Sequence, residues 1–256
     1  MAHRLASPTP ARGQAHLPAW RLALQGEQKA AYVRTMFGRI ARRYDLMNRL
    51  MSLGRDQAWR RLAAREAHII PGALVLDLAT GTGDLAFAVL ELEPTAHVVG
   101  ADFAMPMLVE GARKHAARGQ GHLALLAADA LQLPFAEATF DAVLSAFLMR
   151  NVADLRRGFA EQHRVLRPGG RVVCLEITSP PWPGLRALFD VYFGWVVPAL
   201  GGLVAGDPDA YTYLPASVRR FPRPDALAGL MEAVGFREVA YRRLALGAIA
   251  VHVGVK

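Results

Sequence analysis

Short apolar runs alternate with amphipathic stretches along most of the chain. Leu74–Leu78, Val98–Ala101, Leu123–Ala127, Asp141–Phe147 and Arg171–Ile177 are brief, mostly aliphatic segments, the pattern of strands covered on both faces. Between them, Leu85–Leu90, Met105–His115 and Leu155–Leu166 read as helices, the last stopped by Arg167-Pro168-Gly169-Gly170. Strand–helix alternation of this kind predicts an α/β fold with a doubly wound, parallel, Rossmann-like sheet. A helix over Asp225–Val234, closed by Gly235, precedes two further runs, Arg237–Leu244 and Ala248–Val255, joined around Gly247. A connection that short makes the last two strands antiparallel.

Two regions depart from this rhythm. From Glu27 to Met51 the apolar residues Val33, Met36, Phe37, Ile40, Tyr44, Met47 and Met51 fall at steps of three and four, one face of a single helix. Arg34, Arg39, Arg42, Arg43 and Arg49 surround that stripe. A second basic helix, Asp56–His68, follows the Ser52-Leu53-Gly54 break and ends at Pro71-Gly72. Residues 179–223 carry clustered prolines, aromatics and Gly201-Gly202. They are too many for a loop in a compact domain, and predict a helical insertion over the site. Its apolar stretch Val191–Gly206, 16 residues long, falls short of the roughly 20 needed to cross a bilayer and reads as buried or interfacial. The expected organisation is a basic, disordered tail over 1–25, then one domain over 26–256, with N-terminal helices at 26–70 and a substrate-side insertion at 179–223.

The net charge of +8 is uneven: residues 1–70 hold 13 Lys/Arg against 4 Asp/Glu, and the other 186 hold 17 against 18. The basic N-terminal part is suited to an anionic surface, a membrane or a nucleic acid. Residues 1–25 lack the apolar core of a secretory leader. Cys174 is the single cysteine. It excludes an intrachain disulfide, fits a reducing, cytoplasmic setting, and reads as a buried structural thiol.

The chemistry concentrates after the first strand, at Asp77-Leu78-Ala79-Thr80-Gly81-Thr82-Gly83-Asp84. Gly81 and Gly83 permit a tight turn and close ligand approach, and Asp84 is placed to cap the next helix. Asp102 ends the second strand nineteen residues after Gly83, where a carboxylate binds ribose hydroxyls. Asp129, after the third strand, is placed to accept from an adenine amino group. The dinucleotide fingerprint is absent, because Ala86 stands where its third glycine belongs. Asp77 would repel a pyrophosphate. An acidic loop suits a cationic nucleoside, S-adenosylmethionine, with its sulfonium and ammonium, and so methyl transfer over hydride transfer. The histidines show no metal-ligand spacing, and no metal is expected.

These motifs resemble the class I S-adenosylmethionine-dependent methyltransferases, and more narrowly the ubiquinone and menaquinone biosynthesis C-methyltransferases. Four stretches carry the likeness from about residue 30 onward: Arg43-Tyr44-Asp45-Leu46-Met47-Asn48; Leu76–Asp84; Arg150-Asn151-Val152 with Arg164–Gly170; and Tyr211–Pro222. The resemblance implies a seven-stranded sheet with the last strand antiparallel. It also implies cofactor contacts at Thr82, Asp102, Asp129, Ala130 and Ser145, alongside Asp77, Gly81 and Gly83. Leu148 stands where the family carries a glycine.

The implied reaction is methylation of a ring carbon of a demethylated polyprenyl quinol, with demethylmenaquinol favoured over the ubiquinone precursor. Deprotonation of a ring hydroxyl makes the neighbouring carbon nucleophilic. Arg150 is suited to stabilise the oxyanion and orient a water, but as a cation is a poor direct base. Asn151 is placed to hold that water, Tyr44 to bond the quinol oxygen, and His252 is a conceivable base. The aromatics Tyr192, Phe193 and Trp195, with Val196, offer an apolar path for the prenyl tail. A quinol partner further implies transient contact with an anionic membrane surface, and a homo-oligomer fits as well. Three other readings stay open: a methyltransferase for another apolar small molecule, a nucleic-acid methyltransferase favoured only by charge, and a non-catalytic scaffold.

Overall fold

The structure is a computed structural model, which describes residues 24–119 and 121–256. Seven strands form one sheet: β1 (Leu74–Leu78), β2 (His97–Asp102), β3 (His122–Ala127), β4 (Phe140–Ala146), β5 (Leu166–Ile177), β6 (Arg237–Leu244) and β7 (Ile249–Val255). Their spatial order is β3-β2-β1-β4-β5-β7-β6. The pairings from β3 to β5 are parallel, and β7 lies antiparallel between β5 and β6. The chain steps outward from β1 to β3, then returns to β4 on the other side of β1. That reversal leaves a crevice beyond the carboxyl ends of β1 and β4, where open α/β sheets bind ligands.

The period-two alternation of the strands feeds two cores. On one face Val75, Val98, Leu144 and Val173 pack with Ala63 and Ala64 of α3 (Asp56–Glu66) and Leu85 and Val89 of α4 (Asp84–Leu92). On the other, Leu76, Val143, Val172 and Cys174 meet Phe159 and Leu227. Those two belong to α6 (Leu155–Val165) and α9 (Pro224–Val234). Cys174 is buried, and burial raises its thiol, as a structural cysteine requires. A third core joins α1 (Gly26–Ile40), α2 (Tyr44–Ser52) and α5 (Met105–Arg118) to α7 (Pro183–Ala205) and α8 (Pro208–Arg220). Val33, Met36, Ile40 and Met47, all from the predicted stripe, are buried there with Val197 and Tyr211.

Several boundaries differ from expectation. The single helix over 27–51 breaks into α1 and α2 at a 3₁₀ turn, Ala41–Arg43. The second basic helix ends at Glu66. Arg167–Gly170 does not precede the fifth strand but interrupts it. β5 starts at Leu166, its register against β4 shifts there, and Gly169 takes φ +79°, the mark of a bulge. Asp84 is the first helical residue rather than the cap; Gly83 holds the cap position at φ +88°, with no side-chain cap bond. The expected tail falls, up to residue 23, outside the described residues, and α1 begins at Gly26.

The largest correction concerns Val191–Gly206. The helix is already running at Pro183 and continues for 23 residues, through π-helical turns at Tyr192–Val196 and Gly201–Ala205. Proline at its first position and Gly206 at φ +69° after its end set these limits. By length and composition it could cross a membrane, and only 11% of its most apolar window is buried. Later in the 179–223 insertion, Pro208–Arg220 is helical as expected. Gly201 lets α7 approach α8: a Cβ there would lie 2.3 Å from the Tyr211 ring.

Candidate active site

Two cavities meet at the switch point. The smaller, about 70 Å³, lies over the carboxyl ends of β1, β2 and β4 and is lined by Gly81, Asp102, Asp129, Ala130, Ala146 and Leu148. Ala30, Val33 and Phe37 of α1 close it from above. Its lining holds two carboxylates and, among the described residues, no Lys, Arg or His. Asp102 accepts from the backbone N–H of Gly81 at 2.9 Å and of Ala104 at 2.8 Å. Burial raises its carboxyl, against those bonds. Asp129 Oδ1 accepts from Leu131 N at 2.8 Å. Each carboxylate keeps acceptor capacity beyond these bonds.

The glycine turn is braced from beneath. Asp77 is buried, and its Oδ2 accepts from Thr80 Oγ1 at 2.6 Å and Ala86 N at 3.0 Å. Burial pushes its carboxyl up to about 6, opposed by those two bonds and the Arg60 cation. On the outer side Thr82 Oγ1 donates to Asp45 Oδ1 at 2.6 Å. Lys114 Nζ from α5 gathers Asp45, Asp84 and Thr82 at 2.7, 2.5 and 3.1 Å, and the Lys114 cation holds the Asp84 carboxyl below its usual range, against burial. Gln57 Nε2 reaches Asp84 at 2.9 Å. One polar cluster thus ties α2, α3, α4 and α5 to the turn.

The larger cavity, about 340 Å³, is walled mainly by apolar and aromatic side chains: Met36, Ile40, Trp59, Ile177, Phe189, Tyr192, Phe193, Tyr211 and Tyr213 among them. Phe37, Tyr44, Phe147 and Asn151 line both cavities and form their common wall. The Tyr44 ring lies over the glycine turn, with Cε1 3.9 Å from where a Cβ on Gly81 would sit. Burial raises its phenol, while the Arg60 and Arg150 cations and Asn48 act against that. Burial also pushes Tyr213 up to about 12.

Arg150 enters the larger cavity with a buried guanidinium. Its Nη1 donates to Glu176 Oε2 at 2.8 Å, and its backbone N–H to Oε1 at 3.3 Å. Its Nε is buried without a partner. Arg60 and Arg150 set their guanidinium carbons 5.2 and 5.6 Å from the Phe147 ring centre, within cation–π range. Phe147 itself has φ +64°, rare for a bulky residue. Asn151 Nδ2 donates to Phe147 O at 3.0 Å, leaving its Oδ1 buried and unpartnered.

Of the residues singled out from sequence, Tyr44, Gly81, Asp102, Asp129, Ala130 and Asn151 meet at the smaller cavity, and Arg150 at the larger. Asp77, Thr82 and Gly83 shape the turn from behind and do not line the smaller cavity. Ser145 lines neither; strand alternation turns its neighbour Ala146 to the cavity and leaves Ser145 within the sheet beside Cys174. His252 is buried on β7, its Nε2 3.0 Å from Pro224 O, away from both cavities. Glu176, Phe147, Asp45 and Lys114 were not anticipated. The one available signal was an acid, Glu176, within the otherwise apolar run Val172–Ile177. Among the described residues no His, Cys, Asp or Glu group is arranged to hold a metal ion.

A parallel sheet with one reversed strand, an acidic cavity at the switch point and an apolar one beside it is the architecture of a class I methyltransferase. Solved structures agree on the fold: a SAM-dependent methyltransferase from Aquifex aeolicus superposes with TM-score 0.56 at 15% identity, covering 82% of this chain and 96% of that one. Phosphoethanolamine N-methyltransferase 2 of Haemonchus contortus, solved with S-adenosyl-L-methionine, gives 0.56 at 14%, covering 77% and 52%. The chain belongs to the ubiE/COQ5 methyltransferase family, whose profile matches residues 25–256. It is 52% identical to the demethylmenaquinone methyltransferase of Thermus thermophilus, over 86% of this chain and 99% of that protein. It is 48% identical to that of Deinococcus radiodurans, over 90% and 95%. A ubiquinone/menaquinone biosynthesis C-methyltransferase of Desulfotalea psychrophila is 44% identical, over 89% and 92%.

Proposed function

We propose that this methyltransferase transfers a methyl group from S-adenosylmethionine to a ring carbon of a demethylated polyprenyl quinol, demethylmenaquinol foremost. The observation that carries the reading is the common wall: a cation-free cavity with two carboxylates abuts an apolar cavity across Tyr44, Phe37, Phe147 and Asn151. The donor fits the first by charge, because it is cationic and the lining offers Asp102 and Asp129 with no competing cation. In this role Asp102 binds the ribose and Asp129 the adenine, with Gly81 and Ala130 against the nucleoside. Asp77, Thr82, Gly83 and Ser145 act by shaping the turn and the sheet beneath it. At about 70 Å³ the cavity is smaller than the 300 Å³ or so of a ligand site, so its lining must widen to admit the nucleoside.

S-adenosylmethionine, when bound, supplies an electrophilic methyl group. The chain's task is to present a carbanion-like ring carbon. A phenol titrates near pH 10, so the site must stabilise the phenolate. Arg150, held at Nη1 by Glu176 and lining the larger cavity, donates to the developing oxyanion. Asn151, on the wall shared by the two cavities, orients the water that removes the proton. Tyr44, on the boundary, donates to the quinol oxygen and fixes the ring against the donor. The aromatics of α7 and α8 exclude water and receive the start of the prenyl tail. The nearer relatives are named for the demethylmenaquinone reaction, which favours the naphthoquinol. We place the enzyme in the cytoplasm, at the inner face of the membrane where its substrate resides, and assign no nucleic-acid role.

The test is incubation with methyl-labelled donor and, in parallel, reduced demethylmenaquinone and the reduced ubiquinone precursor. Label in the naphthoquinol alone is expected. Label in neither lipid, with donor binding intact, refutes the substrate.

A further inference from the structure

The α7 helix has no side made for water. Between Arg186 and Asp207 its single charged residue is Asp190, which pairs with Arg219 of α8 at 3.8 Å. Its inner face is spent on the protein: Phe189, Tyr192 and Phe193 line the larger cavity, and Val197 and Gly201 are buried. Its outer face is just as apolar yet exposed, with Leu188 at 66%, Trp195 at 59% and Leu203 at 84%. A helix apolar all round belongs in a core or in lipid, and an exposed patch on this scale marks a binding surface.

The patch continues to the mouth of the cavity. Leu53 lines the cavity and is 89% exposed, so the cavity opens beside it. Tyr192 Oη donates to Met51 O at 2.8 Å, fastening α7 to that opening. Across it, Leu246 is 70% exposed, next to the lining residue Ala245. Leu53 and Leu246 both hold positive φ, +52° and +53°. Leucine is held in that region at a cost, and here the cost presents two apolar tips to the outside at one opening. Arginine marks each end of the helix: Arg186 in its first turns, and Arg43, whose Nη1 donates to Val204 O. Trp182 at the helix start, 56% exposed, and Trp195 are the residue type that collects at the headgroup level.

We infer that the outer face of α7, with Leu53 and Leu246, lies flat in the surface of an anionic lipid bilayer and opens the larger cavity to it. The helix lies on the membrane and does not span it, because its inner face is packed on α8 and on the cavity. This surface rests on reading the cavity as a polyprenyl-quinol site: the tail passes from bilayer to ring without entering water.

The test uses the full chain and vesicles of equal parts phosphatidylglycerol and phosphatidylcholine, with phosphatidylcholine alone in parallel. Wild type is expected to float with the anionic vesicles, and more weakly with neutral ones. Leu188→Glu with Trp195→Glu, and independently Leu203→Glu, lower that binding about tenfold or more. Leu92→Glu, at an exposed leucine of α4, leaves it unchanged. Leu203→Glu, at a residue that is outside the cavity lining, keeps turnover of a short-tailed soluble quinol and loses it on a long-tailed quinol in vesicles. Binding that survives both sets of changes overturns the surface. So does a wild-type dimer that the Leu188/Trp195 pair splits and that never floats, which would make the face a contact between two copies. Equal flotation with neutral vesicles overturns the anionic preference. If neither quinol is methylated but flotation follows the variants, the surface stands and the substrate assignment fails.

Discussion

Glu176→Gln separates the two jobs of the Arg150 site. Glu176 is 1% exposed and accepts from Arg150 Nη1 at 2.8 Å, Ile177 N at 3.1 Å and Arg150 N at 3.3 Å. Glutamine leaves one carbonyl oxygen for these donors and turns an NH₂ group toward a guanidinium that has lost its counter-charge. Breaking a buried ion pair costs about 3–5 kcal/mol, and the retained acceptor places this variant at the lower end, about 3 kcal/mol. At about 2–4 °C per kcal/mol for a domain of this size, Tm falls by about 6–12 °C. Replacing both residues by methionine removes charge and counter-charge together and refills the volume, so the double variant regains most of the loss. Its recovered stability is expected to come without recovered turnover, because the guanidinium proposed to meet the oxyanion is gone. Thermal unfolding of wild type, Glu176→Gln, the single variants Glu176→Met and Arg150→Met and the double methionine variant, with single-turnover methylation alongside, reads both quantities. A Tm for Glu176→Gln within about 2 °C of wild type, or a double variant whose loss equals the sum of the singles, refutes the pairing.

Three further outcomes follow from the same geometry. Asp77, held near 6 in the folded protein, has a folded value above the unfolded one near 4, so its ionisation destabilises the fold; this cost is absent below about pH 4 and complete above about pH 6. Asp77→Asn keeps an oxygen for Thr80 and Ala86, and its Tm relative to wild type should rise between pH 4 and pH 7 by the equivalent of about 2–3 kcal/mol; a pH-independent difference rules this out. Tyr44→Phe should lower kcat on the quinol about a hundredfold while calorimetric donor affinity and Tm stay near wild type; an equal loss of donor affinity would assign the hydroxyl to the donor instead. Gly83→Ala meets φ +88° and a Cβ 3.0 Å from Phe87 Cε2, costing about 1–2 kcal/mol, with weaker donor binding because the turn shifts; unchanged melting and binding would show the turn tolerates a side chain.

Local rules reached the sheet and the turn because both are local. Leu74–Leu78 matches β1 residue for residue, and Asp102 ends β2 as its spacing required. The errors share one cause: a local signal met a long-range constraint. Arg167–Gly170 has the composition of a helix stop, but Gly169 N also donates to Lys256 O at the end of the chain, which draws the segment into the sheet. In the sequence the apolar run Val191–Gly206 is bounded by Asp190. In the fold that aspartate is paired with Arg219, so it does not end the apolar helix, and Pro183 does.

The residues that sequence reasoning missed act across distance in the chain. Asp45 and Thr82 are 37 residues apart, and Asp45 and Lys114 69 apart, so no motif could announce the cluster. Its mechanical consequence is specific. Lys114 and Asp45 bind α2, which carries Tyr44, to the same turn that carries Gly81, which fixes the ring's position relative to the turn. By contrast Ala30, Val33 and Phe37, which roof the smaller cavity, sit on α1, beyond the 3₁₀ break at Ala41–Arg43. The break therefore separates the helix that sets Tyr44 against the glycine turn from the helix that roofs the smaller cavity, so one continuous apolar stripe serves two walls.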